Sequence, residues 1–279
     1  GFTSAGLVIA AWCKRIPVCL HEANRNPGRA IRLLRHFARH IYLPDGVRLD
    51  GFPLTRQKYL GYPVRKEIRR GSRAEARTAL GFDANGKLLV VLGGSQGAAS
   101  LNEWASANAR ALCSNGISVC CVCGPGQKMQ DDFEMPDSMN GTARVRFLPF
   151  CDRMDLLLNA ADLAVSRAGA GSIAEFTECV LPSILVPYPH AADNHQLANA
   201  QYHEQLGCGL LVPQERLDGL LAEVLDLIFS DWMLERMCFN LEQARRPECA
   251  ALIADDMLAL GEEAAQSAAN KQRAGEGAA

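Results

Sequence analysis

The sequence predicts an α/β protein built on parallel sheets. Three observations carry that class. Short, almost continuously apolar runs recur along the chain; stretches with helical spacing separate them; and the loops that leave the runs are rich in glycine and proline. A strand that reads as an unbroken apolar run is buried on both faces, and helical crossovers between such strands imply parallel pairing. Strand and helix alternating in this way is the Rossmann-like pattern.

Taken in order, GFTSAGLVIAAW opens on small residues and runs into an apolar helix. PVCLHE (17–22) reads as a strand, 28–40 as a helix, and a short strand completes residues 1–60. GYPVRKEIRRGSRAEARTALGFDANGK is polar and rich in turn residues, so it reads as a crossing between domains followed by one helix. From Lys87 a fresh series begins. Its strands are KLLVVLGG (87–94), ISVCCVCG (117–124), ARVRFLPF (143–150), ADLAVSR (161–167) and PSILVPYP (182–189). Its helices lie around 98–113, 152–160, 172–180 and 194–206, and further helices follow to about Leu260. The predicted division is therefore 1–65 for part of a first domain, with a helix near 248–262 packing back on it. A second domain takes 66–247. A tail at 263–279, with almost no large apolar residue, is expected to be disordered.

Of 279 residues, 48% are hydrophobic and 22% charged, the balance of an ordinary globular chain with ample core. A net charge of −2 supplies no global basic field, so nucleic acid is not an expected partner. No apolar run approaches the ~20 residues of a membrane-spanning helix. The eleven cysteines are scattered without a disulfide framework, and the C-x-C of Cys121 and Cys123 has no second pair to complete a zinc site. They read as small, reduced core residues of a cytosolic protein. The chain opens at Gly1 in the middle of a small-residue loop, which reads as the rear part of a longer protein.

Ligands of parallel α/β sheets bind at the carboxyl ends of the strands, where four loops carry polar chemistry. LGGSQGAASLNE (92–103) ends a strand on glycines and opens a helix with Ser95 as a possible cap, an arrangement suited to phosphate. VSRAGAGSIAEF (165–176) places Gly169 and Gly171 where backbone must approach something closely. There Ser172 and Glu175 have the spacing of a capping box, so Glu175 either caps its own helix or accepts hydrogen bonds from sugar hydroxyls. VPYPHAADNHQLANA (186–200) gathers Asp193, Asn194, His195 and Gln196, as a helix cap or as a sugar-binding cluster. FLPFCDRMDLLL (147–158) offers Asp152 as a cap and free backbone near Cys151 for a base.

PFCDRM, SRAGAGSIAE and PYPHAADNHQLANA, in that order and spacing, resemble the donor domain of the MurG family. GFTSAGLVIAAW, IPVCLHEANRNPGRAIRLL, GYPVRKEI and VVLGGSQGAASLNE each resemble other blocks of that family, so the resemblance covers residues 1–255. It implies the GT-B fold, two Rossmann-like domains with parallel sheets, the first only partly present here. It also implies an inverting transfer of N-acetylglucosamine from UDP-N-acetylglucosamine to the 4-hydroxyl of the muramyl sugar of lipid I, giving lipid II for peptidoglycan. No cofactor and no metal is implied, and no Asp-x-Asp motif is present. The resemblance assigns Asn24 to the sugar, Arg65 to the donor, Ser95 to the phosphate loop and Cys151 to a backbone contact with uracil. Ala170, Gly171, Ser172, Ile173, Ala174 and Glu175 fall to the nucleotide, with Glu175 on the ribose, and Gln196, with its neighbour His195, to sugar hydroxyls.

Tyr62 stands where the family has asparagine, Cys123 near a common histidine, and AGLV (5–8) in place of a more glycine-rich turn. The family's catalytic base corresponds to a position ahead of Gly1, so the chain as given is expected to bind donor without making lipid II. Another GT-B nucleotide-sugar enzyme, such as a glycolipid synthase or an epimerase, and a donor-binding fragment without activity are the alternatives. A lipid-linked acceptor implies work at the inner face of the bacterial membrane. GRAIRLLRHFARH, with Arg32, Arg35 and Arg39 beside Ile31, Leu34 and Phe37, suits such peripheral contact or simply a packed amphipathic helix.

Overall fold

A computed structural model describes residues 4–94, 98–127, 131–136 and 141–276. The chain divides into two compact units: Gly1–Pro63 with Arg246–Ala279, and Val64–Arg245. The first unit opens with α1 (Ala5–Cys13), β1 (Cys19–His21), α2 (Arg29–Leu34), β2 (His40–Tyr42) and β3 (Gln57–Lys58). The three strands pair in parallel in the order β1-β2-β3. Val18, Leu20, Leu34, Ile41, Leu43 and Phe52 form their core. The helix predicted over 28–40 is shorter: α2 gives way to a 3-10 turn at Arg35–Phe37, and Ala38 is extended. The cause is the next strand. Arg39 N–H donates to Val18 O at 2.7 Å, so the backbone must already be extended there to pair.

The second unit contains α3 (Arg73–Leu80), β4 (Lys87–Leu92), α4 (Ala99–Ser114), β5 (Ile117–Val122), β6 (Phe133–Pro136), β7 (Thr142–Leu148), α5 (Met154–Ala160), β8 (Leu163–Ser166), α6 (Ala170–Cys179), β9 (Ser183–Leu185), α7 (His195–Gln205), β10 (Gly209–Leu211), α8 (Leu220–Ile228) and α9 (Asp231–Ala244). Its seven strands lie in the order β10-β9-β8-β4-β5-β7-β6, all pairs parallel except β6 with β7. The period of two sorts β4 between two cores. Leu89 and Val91 join Leu101, Trp104 and Leu227 on one face; Leu88, Val90 and Leu92 join Leu157, Leu158 and Phe176 on the other. Both faces are covered, so the apolar runs are continuous rather than alternating. Two strands escape the sequence pattern. β6 is an antiparallel edge strand with alternating burial, and β10 is three residues long at the opposite edge.

The chain then returns to the first unit as α10 (Cys249–Glu276). Its Asp256 carboxylate accepts from Tyr42 Oη at 2.9 Å and lies 2.7 Å from His40 Nδ1, tying the helix to β2. Burial favours the neutral acid, but these hydrogen bonds and the nearby cations outweigh it and lower the Asp256 pKa. Helix occupies residues 263–276, where the sequence predicts a disordered tail. Alanine, glutamate, glutamine, lysine and arginine there are strong helix formers, and a shortage of large apolar residues limits burial rather than helicity.

Candidate functional site

In the second unit the strand order reverses at β4. The chain builds outward from β4 through β5 to β7, then crosses back to β8 on the other side of β4. Ligand crevices of open α/β sheets form at such a reversal, outside the carboxyl ends of the two flanking strands. At the end of β4, Gly94 takes φ +79°, open to glycine without strain. Ser95 lies outside the described residues. The helix that follows, α4, carries no side-chain cap at Ala98, so its first N–H groups and its positive dipole end are left to other partners.

Across the reversal, β8 ends at Ser166 and α6 begins at Ala170. The capping box is not formed. Gly169, extended at φ −69° and ψ 138°, is the N-cap and has no side chain to offer, while Ser172 is the third residue of the helix. Glu175 therefore caps nothing. Its Oε1 lies 3.7 Å from Arg65 Nη2, with the arginine mostly exposed and the carboxylate about a quarter so. Burial raises the Glu175 pKa and the Arg65 charge opposes the rise. Ala170, Gly171, Ser172 and Ala174 keep this end of α6 low. Ile173 is the exception, packing partly into the core, so the small residues and Glu175 are left at the surface of the turn.

The loop after β9 is held by side chains rather than by regular structure. Asp193 and Asn194 both take φ 51°, Asn194 rather than Asp193 is the N-cap of α7, and no side chain caps that helix. Gln196 Oε1 accepts from Tyr188 N–H at 2.9 Å. His195 Nδ1 lies 2.6 Å from Ala192 O. Asn199 donates to Ala168 O at 3.2 Å and so ties α7 to the loop before α6. After β7, Arg153 rather than Asp152 takes the N-cap position of α5 and chelates Asp155 at 3.0 and 2.9 Å. Cys151, half-buried beside it, has its thiol pKa raised chiefly by burial.

Asn24 belongs to the first unit. Its backbone N–H and its carboxamide donate to Glu22 Oε1 at 2.9 and 3.2 Å, and Glu22 Oε2 accepts from Gly28 N–H at 2.7 Å. This buried carboxylate shapes the loop after β1. His21 ends β1, 3.4 Å from Gly61 O and edge-on to Tyr62, and burial lowers its pKa. Among the described residues no cluster of three metal-ligating side chains occurs.

Thus the geometry joins Arg65 to Glu175 and builds Gln196 and His195 into one loop. The residue that sequence reasoning missed is Arg167, whose side chain joins the segments after β4, β9 and β10. It donates to Val186 O at 3.1 Å, Ser100 Oγ at 2.8 Å and Gln214 Oε1 at 2.6 Å. Its only sequence signal was a charged residue at the end of an otherwise apolar strand.

A family model described as the glycosyltransferase family 28 C-terminal domain matches residues 88–251. The chain is 49% identical over 242 residues to the UDP-N-acetylglucosamine--N-acetylmuramyl-(pentapeptide) pyrophosphoryl-undecaprenol N-acetylglucosamine transferase of Opitutus terrae, covering 87% of this chain and 64% of the relative. It is 35% identical over 271 residues to the Mycobacterium sp. (strain KMS) protein of the same name, covering 95% and 70%. Against the Synechococcus elongatus protein of that name the identity is 36%, covering 82% and 61%. The chain thus spans a little under two-thirds of the Opitutus terrae and Synechococcus elongatus relatives. Among solved structures, Acinetobacter baumannii MurG matches with a TM-score of 0.69 at 24% identity, covering 92% of this chain and 71% of that one. The UDP-GlcNAc 2-epimerase of Neisseria meningitidis, bound to UDP-GlcNAc, matches at 0.61 and 14% identity, covering 90% and 72%. Both likenesses concern the fold.

Proposed function

This chain belongs to glycosyltransferase family 28 and has a GT-B fold, and from that premise we propose that it moves N-acetylglucosamine from UDP-N-acetylglucosamine to the 4-hydroxyl of the muramyl sugar of lipid I, giving lipid II. The observation that carries the reading is Glu175. It sits one turn into a helix that begins at the strand-order reversal, it caps nothing, and a mostly small-residue turn precedes it. A carboxylate so placed suits the two hydroxyls of a ribose. Gln196 and His195 would take sugar hydroxyls, backbone beside Cys151 the base, and the Ser95 loop the phosphates. The family resemblance gives Asn24 to the transferred sugar. The acceptor oxygen loses its proton to a base and attacks the anomeric carbon, and UDP leaves. Arg65 and the uncapped start of α4 would stabilise the charge that develops on the diphosphate.

A lipid-linked acceptor places the work at the cytoplasmic membrane face. No helix of the described residues is long and apolar enough to cross a membrane. The first unit instead exposes Leu7, Ile9, Trp12, Ile16 and Leu33, with Lys14, Arg15 and Arg32 exposed among them. Apolar side chains ringed by cations suit peripheral binding to an anionic bilayer.

The test uses calorimetry and transfer. The chain should bind UDP-N-acetylglucosamine. Fused to the part of the Opitutus terrae relative that lies outside the aligned region, it should convert a soluble lipid I analogue with radiolabelled donor. Absence of donor binding, or a fusion that binds donor and transfers to water only, would reject the reading.

A further inference from the structure

Arg167 is the first residue past β8, and its backbone N–H donates to Leu92 O at 3.3 Å, which sets it beside the end of β4. Its side chain is buried, the residue 8% exposed. Nη1 donates to Val186 O at 3.1 Å and Pro187 O at 3.4 Å, and Nη2 to Ser100 Oγ at 2.8 Å and Gln214 Oε1 at 2.6 Å. The Tyr188 ring centroid is 5.5 Å from its guanidinium carbon. Every one of these partners is neutral, and no carboxylate among the described residues pairs with it. Burial lowers its pKa, as expected for a cation taken out of water without a counter-charge.

The location makes the burial more costly. Ser100 is the second residue of α4, so the guanidinium lies against the positive end of a sixteen-residue helix that no side chain caps. A cation there is repelled by the helix dipole. Two sources of positive potential thus converge where the strand order reverses, and among the described residues the fold supplies no anion to either. A ligand with negative charge would relieve both at once.

We propose that Arg167 is the charge-reading residue of this edge: a positioning group that, through Ser100 and the first turn of α4, makes the site select nucleoside diphosphates over the corresponding nucleosides. The inference rests on the donor reading above and adds to it the residue that senses the diphosphate. Arg167 need not touch the phosphates. It holds the loops that do and raises the potential they present.

The test is calorimetric titration of the full chain and of Arg167→Gln and Arg167→Lys with UDP and uridine, at low and high salt. In Arg167→Gln, UDP affinity should fall about tenfold or more, as for loss of a charge-assisted contact, while uridine affinity stays within about twofold. Arg167→Lys should recover most of the UDP affinity, and the salt dependence of UDP binding should be shallower in Arg167→Gln than in wild type. Equal losses for UDP and uridine, or a lysine variant no better than glutamine, would leave Arg167 a scaffold residue and overturn the proposal. Should Arg167→Gln not fold, inorganic pyrophosphate decides on the wild type: it should displace UDP and raise the melting temperature, and failure to do either overturns the proposal. A wild-type chain that binds neither UDP nor uridine rejects the donor reading itself. One that binds UDP, with Arg167→Gln unchanged, rejects this inference alone.

Discussion

Two guanidinium groups are buried at opposite ends of the strands of the seven-stranded sheet, its amino and carboxyl edges. Arg77, 5% exposed, lies at the amino edge. Its Nη2 meets Asp162, its Nε donates to Ala160 O at 2.8 Å and its Nη1 to Ala84 O at 3.2 Å. Asp162 also takes Arg73 at 3.1 Å and the Leu88 N–H at 2.7 Å. Close by, Ser183 Oγ lies 3.1 Å from the Nε2 of buried His203. Arg167, at the carboxyl edge, has only neutral partners. Where the fold completes its own electrostatics, the residues are structural. Where it buries a charge and supplies no counter-charge, the completion has to come from a ligand. The two edges should therefore answer differently to substitution: stability at one, affinity at the other.

The largest effect should come from Asp162→Ala. Removing one partner of a buried ion pair typically costs about 3–5 kcal/mol, because the other charge is stranded. Chemical denaturation should show that loss while UDP affinity of the folded fraction is unchanged. An affinity loss of similar size would erase the distinction between the edges. Next is acid sensitivity. Burial holds the His203 pKa at about 4, below its ordinary 6.5. Between those values the unfolded chain binds the extra proton, so stability is complete above pH 6.5 and falls as the pH drops toward 4, by roughly 3 kcal/mol in all. His203→Gln should flatten that part of the stability–pH curve. An unchanged curve would show that His203 is not its source.

At the carboxyl edge, Glu175→Ala should weaken UDP-N-acetylglucosamine binding by about 1.5–3 kcal/mol, the usual value of hydrogen bonds to a charged group. Since Glu175 caps nothing, its removal should leave the melting temperature nearly unchanged, which differential scanning calorimetry would check. The smallest expected effect sharpens the comparison in another way. A chain limited to residues 64–245 should bind UDP within about twofold of the full chain, because both edges and both cores belong to that unit. A folded unit that had lost UDP would place essential contacts elsewhere.

The central parallel strands β4, β5, β8 and β9 were legible because burial on both faces makes them near-continuous apolar runs, whereas β7 alternates in burial and begins one residue before its run, at Thr142. β6 was not legible, since an edge strand with one face in water reads as a loop between turns, and β10 is too short to have a period. The loops proposed to carry the site are legible as glycine and polar clusters at strand ends, but their internal geometry differs from the sequence reading. Ser172 and Glu175 have capping-box spacing, yet the N-cap lies three residues earlier, at Gly169, which has no side chain to cap with. Sequence spacing cannot decide between two starting points within one helical turn. Arg167 was illegible for a different reason. Its burial and its partners Ser100, Val186 and Gln214 come from three other segments, and no local pattern announces them.

The first unit is discontinuous, and that has a consequence for synthesis. His40 and Tyr42 meet Asp256 across 216 and 214 residues of chain. At the usual ~5–20 residues per second of translation, roughly 10–40 s separate the appearance of the two halves of that contact on the ribosome. The second unit, Val64–Arg245, is synthesised within that interval and is complete shortly before Asp256 appears. The segment made earlier must wait, with β1 and β2 formed of only three residues each. Vectorial order is thereby inverted between the two units: the one begun earlier is completed later. During the wait its exposed Leu7, Trp12 and Leu33 are available to chaperones, or to a lipid surface, before α10 arrives.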